Sequence, residues 1–67
     1  MRTRSEIFSV GDLLVDRISG KRGIITQARE LIIQVKWDGE TKKKYHRVDG
    51  ICSCIASEEV LWSPVKS

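Results

Sequence analysis

The run Leu31-Ile32-Ile33-Gln34-Val35-Lys36-Trp37 puts Leu31, Ile33, Val35 and Trp37 on one side of an extended chain. Ile32, Gln34 and Lys36 fall on the other side, which is the period of a strand with one buried face. The run ends on Asp38-Gly39, the dipeptide that most favours a tight hairpin. Strand, reversal and returning strand are therefore the expectation here, and the rest of the chain is read around them. Gly11-Asp12 opens a first strand, Leu13–Arg17, followed by a loop over Ile18–Gly23. A second strand runs over Gly23–Ala28, and Arg29-Glu30 turns the chain into the third. The fourth, Thr41–Val48, has two faces that differ little, as suits an edge strand guarded by lysines. Asp49-Gly50 predicts another turn, and Ile51–Ala56 a short fifth strand. Only Ser57–Trp62 has helical character, with Ser57 as cap and Glu58 and Glu59 in the first turn. It is long enough for one turn at most, and Val60-Leu61-Trp62 closes the structure.

A chain of 67 residues makes one domain. At this size folding hides only about 60% of the unfolded surface, so the core is thin and no deep interlobe cleft can form. Five short strands in so small a chain predict an all-β barrel, because closure removes edges that an open sheet leaves unpaired. The expected boundaries are a flexible segment over 1–6, the barrel over 7–62 and a tail over 63–67. Trp37 is expected in the core, with Phe8 and Trp62 closing its opposite ends.

The first half, Val10-Gly11-Asp12-Leu13-Leu14-Val15 and then Ser19-Gly20-Lys21-Arg22-Gly23-Ile24-Ile25, resembles the start of SH3-like barrels. It looks like the KOW motif of ribosomal and elongation proteins, and like Tudor-type domains. The second half, Val35-Lys36-Trp37-Asp38-Gly39 followed by Lys44-Tyr45-His46-Arg47 and Gly50, is similar to the end of mind bomb/HERC-type domains, also SH3-like barrels. Together these stretches cover residues 8 to 62. The resemblance implies a five-stranded SH3-like barrel. Its KOW side implies contact with RNA or ribonucleoprotein, its mind bomb/HERC side implies protein recognition, and its Tudor side implies a methyl-lysine cage. The four aromatics Phe8, Trp37, Tyr45 and Trp62 do not suffice for such a cage once the core has taken at least two.

No catalytic constellation can be assembled from the residue types present. His46 is the single histidine. With Cys52 and Cys54 it offers three zinc ligands where a structural site takes four, and C-x-C is not the usual ligand spacing. No phosphate-cradling glycine loop is present. The expectation is a binding module, not an enzyme, without metal or cofactor. The two cysteines are expected to be reduced thiols packed as small hydrophobes. No apolar run approaches the roughly 18–20 residues needed to cross a bilayer. Met1–Glu6 lacks the apolar stretch of a secretory signal, so a cytoplasmic location away from membranes is expected.

Hydrophobic residues make up 40% and charged residues 31%, the balance of a folded chain. The net charge is +3, and two basic clusters stand out. Arg17, Lys21 and Arg22 lie in or beside the first loop, and Lys42, Lys43, Lys44, His46 and Arg47 follow the Asp38-Gly39 turn. If these meet on one surface, Arg17, Lys21, Arg22, Lys42, Lys43, Lys44 and Arg47 would contact the phosphate backbone of DNA or RNA, with Tyr45 stacking on a base. The alternative is that the lysines keep an edge strand from pairing. The chain would then be a protein-interaction module or small regulator docking on a larger protein machine. The sequence leaves the oligomeric state open.

Overall fold

The computed structural model describes residues 7–65. The segment 1–6, expected to be flexible, lies outside the described residues, as do 66 and 67 of the expected tail. The elements in order are β1 Leu13–Asp16, β2 Arg22–Ala28, β3 Ile32–Trp37, β4 Lys44–Arg47, α1 Val48–Ala56 and β5 Val60–Ser63. The five strands form one antiparallel sheet in the order β4-β3-β2-β1-β5. β1 to β4 are a meander, and β5 returns to lie beside β1. β4 and β5 are thus the two edges, and α1 packs against both.

One face of the sheet carries the core. Leu14, Ile25, Ile33 and Val35 are almost fully buried, and Trp37 and Val60 nearly so. Gly23 stands opposite Trp37 on the same face. A Cβ there would come within 2.6 Å of Val35 Cγ1 and 2.7 Å of Trp37 Cε3, so the indole fills the space the glycine leaves. A register shift between Ile25 and Gln27 bends β2. The Thr26 hydroxyl there donates across to the Gln34 side chain at 3.0 Å.

The third strand has the alternation read from its sequence. Its turn does not have the expected two-residue length. Gly39 adopts a φ of 80°, which few residues other than glycine tolerate. Thr41, Lys42 and Lys43, however, belong to a loop over 38–43, and β4 is only Lys44–Arg47. Lys36 Nζ crosses that loop to the carbonyls of Trp37 and Glu40.

The larger correction is α1. Ile51–Ala56 is helix where a strand was expected, and Asp49-Gly50 lies in its first turn instead of making a reversal. Val48, Ile51, Cys52 and Ile55 fall at i, i+3, i+4 and i+7 and pack on the core. A short apolar run with alternate polar residues fits either period, and the helical one prevails because it spans both sheet edges. The expected helical turn over Ser57–Trp62 is also replaced. The amide of Glu58 donates to Ile55 O and that of Glu59 to Cys54 O, which closes α1 with Glu58 in a left-handed conformation, φ 64°. The chain then extends into β5.

Phe8 and Trp62 do not close opposite ends of the core. Their rings meet edge to face with centroids 5.0 Å apart. Beneath them Asp12, 1% exposed, accepts bonds from the Ser9 amide at 2.9 Å, Trp62 Nε1 at 3.0 Å and the Val65 amide at 2.8 Å. One carboxylate therefore ties the start of the described chain to its end. Burial pushes this carboxyl up, but the three N–H donors together outweigh it and hold it below its ordinary value.

Candidate functional site

The eight residues expected to contact nucleic acid do not gather on one surface, and strand alternation is the reason. On β4, Lys44 stands opposite Val35 and His46 opposite Ile33, so both belong to the core side of the sheet. Tyr45 stands opposite Gln34 and Arg47 opposite Ile32, on the outer side. The same rule sends Arg22, opposite Val15, outward with Ile24. Lys42 and Lys43 are exposed on the loop before β4. Arg17, beyond β1, turns back to the α1–β5 connection, where Nη1 donates to Glu58 O at 3.2 Å.

The outer group is open. Tyr45 is 64% exposed, with Ile32 at 40% on its flank. Arg47 precedes α1 in the N-cap position, but its side chain caps nothing. Farther across the same face lie Ile24 and Leu61, at 44% and 47% exposure.

The core-side group forms the rim of a pocket of about 270 Å³. Lys21 Nζ lies 3.3 Å from Glu40 Oε2, and Lys44 Nζ 3.2 Å from Glu40 Oε1, so the two ammonium groups share one carboxylate. Hydrogen bonds from Lys44 and then Lys21 hold the Glu40 carboxyl below its usual range. Asp16 and Ser19 line it from the same β1–β2 loop as Lys21. Asp16 Oδ1 accepts from the amides of Ile18 and Ser19 at 2.9 and 3.3 Å, and the first of these bonds lowers its carboxyl most. Trp37 and His46 make the floor. Trp37 Nε1 donates to His46 Nε2 at 3.0 Å, so the neutral imidazole keeps its proton on Nδ1. Burial is the main cause holding His46 below the ordinary imidazole value; nearby Lys44 adds to it and Glu40 opposes it.

Sequence reasoning placed Lys21, Lys44 and His46 in basic clusters but missed Glu40 and Asp16, the acids that organise them. The spacing of Glu40 and Lys44 carried no signal, because their meeting depends on the loop folding back. Cys52 and Cys54 are free, half-buried thiols on α1, apart from the pocket. Among the described residues, no group of three His, Cys, Asp or Glu is placed to hold a metal ion, and no helix is long and apolar enough to cross a membrane. The chain has no significant match among protein-family models, curated proteins or solved structures.

Proposed function

We propose that this chain is a non-catalytic binding module of the SH3-like barrel class that contacts single-stranded DNA or RNA through the outer face at β4. The strand order supports the barrel reading. β1 is flanked by β2 and β5, and α1 spans the seam between β4 and β5. The binding reading rests on Tyr45. Its ring is 64% exposed, with Arg47 two residues along on the same face. Exposed Lys42 and Lys43 lie just before the strand. Every base has a π-face, so an open aromatic beside cations suits a strand without regard to its sequence. Phosphate contacts then set the affinity and its salt dependence.

The second reading is a protein-docking surface, favoured by the half-exposed Ile24, Ile32 and Leu61 on the same side. Binding of a labelled single strand at about 50 and 200 mM salt separates the two. The nucleic-acid reading expects affinity to fall steeply over that range. It also expects Tyr45→Ala to weaken binding about tenfold or more, as loss of one stacked base does. Absence of binding at the lower salt would sink it and leave the apolar outer face as the interface.

A further inference from the structure

We infer that the pocket between β4 and the β1–β2 loop is a site for a sugar phosphate of the nucleoside monophosphate class, met either as a free nucleotide or as the 5′-phosphorylated end of a strand. The proposal does not rest on the outer-face reading, because the pocket lies on the other side of β4.

Two lysines from distant parts of the chain converge there on one two-oxygen anion. Lys21 and Lys44 each approach Glu40 within 3.3 Å. A phosphate monoester presents the same oxygens with more charge, and ammonium groups bind it as point charges. Glu40 is thus a built-in competitor. Its carbonyl is held by Lys36 Nζ, so the side chain can swing out while the loop stays in place. Its ion pairs are exposed ones, with Lys21 and Lys44 at 48% and 57% side-chain exposure, and such pairs cost little to break.

The β1–β2 loop beside Lys21 carries the second recognition element. Asp16 Oδ1 accepts from the loop amides, and the carboxylate also has the Ser19 side chain and Lys21 beside it. A pocket-lining carboxylate is the group that accepts from a ribose hydroxyl in dinucleotide sites. Trp37 and His46 give the sugar a partly apolar floor. The volume of about 270 Å³ exceeds what a bare phosphate fills.

The experiment is an amide NMR titration of the intact chain with AMP, adenosine and inorganic phosphate, repeated in Glu40→Gln, Lys44→Ala and Asp16→Asn. The expected result is that AMP shifts Ser19, Lys21, Glu40 and Lys44 while adenosine does not. Glu40→Gln should tighten AMP about tenfold and Lys44→Ala should loosen it about tenfold, the size of one charge-assisted bond. Asp16→Asn should weaken AMP but not inorganic phosphate. Displacement of AMP by a 5′-phosphorylated oligonucleotide, and not by its 5′-hydroxyl counterpart, would assign the strand end as the ligand. Failure of both oligonucleotides to displace AMP would assign the free nucleotide. No shift at millimolar AMP, equal shifts with adenosine, or shifts indifferent to Glu40→Gln and Lys44→Ala would overturn the proposal. Tyr45→Ala leaves this pocket untouched, so failure here and failure of the outer-face reading are distinguishable.

Discussion

The two tryptophans make the same bond at two ends of the sheet, to acceptors of opposite character. Trp62 Nε1 donates to Asp12 and Trp37 Nε1 to His46, both at 3.0 Å. Asp12 is a charged group that two backbone amides also bind, and it joins distant parts of the chain. His46 is a neutral ring on the floor of a pocket, between a buried core and two half-exposed lysines. Both groups titrate below their ordinary values, for different reasons. In Asp12 donors favour the charged form. In His46 burial disfavours it. The first arrangement fastens the fold, and the second makes a pocket floor sensitive to pH.

The largest expected effect tests the first half of this contrast. Asp12→Ala removes the acceptor of three N–H groups, and hydrogen bonds to a charged group contribute about 1.5–3 kcal/mol each. A chain of this size has about 3–5 kcal/mol in total, so the variant should be largely unfolded at 25 °C by circular dichroism. Asp12→Asn keeps one accepting oxygen and should lose less. A cooperative, wild-type-like urea transition for Asp12→Ala would show that Asp12 fastens nothing.

The same contrast marks what was legible in the sequence. The meander β1–β3, the alternation of Ile33, Val35 and Trp37 and the general positions of β1 to β4 follow from local period. Asp12 was readable only as the opener of a strand. Its three donors come from Ser9, Trp62 and Val65, and only the closing of β5 on β1 brings the last two near. The helix was hidden because Ile51-Cys52-Ser53-Cys54-Ile55 satisfies both periods, and its helical set begins at Val48, which looked like the end of a strand. The basic residues were visible, but their division between two faces was not. That division needs the register of β4 against β3, which the unexpected length of the 38–43 loop sets.

The next effect in size separates the two acceptors by pH. The native His46 pKa lies below the ordinary 6.5, so the unfolded chain binds a proton more readily. Stability is therefore full above about pH 6.5 and falls as pH drops through the native value. Burial of the imidazolium is the main cause of the loss, and protonation also ends the Trp37 bond, which an imidazolium cannot accept. Asp12 acts later. Its contribution is complete above its ordinary 3.8 and is lost only as pH falls through the lower native value. Urea transitions at pH steps between 7.5 and 3 should show two separate declines, the lower one shared with Asp16 and Glu40, whose carboxyls are also held below their ordinary values. The Trp37 indole proton resonance should broaden or shift in the first, and the Trp62 resonance only in the second. His46→Phe should abolish the first decline alone, and a single decline near pH 4 in the unmodified protein would erase the distinction between the two ends.

The smallest effect leaves both acceptors alone. α1 touches β4, which carries His46, and β5, which carries Trp62, so a change in its own strain should stabilise the two ends together. Glu58 holds a φ of 64°, which costs a side-chain-bearing residue roughly 1–2 kcal/mol and glycine little. Part of that gain is offset by the greater freedom of glycine in the unfolded chain. Glu58→Gly should therefore raise stability by about 0.5–1 kcal/mol. The Arg17 bond survives, because it is made to the Glu58 carbonyl and not to its side chain. Plotted against pH, the whole stability curve should rise without moving either decline. A rise confined to one side of the histidine step would mean that the helix end is coupled to one tryptophan and not to the other.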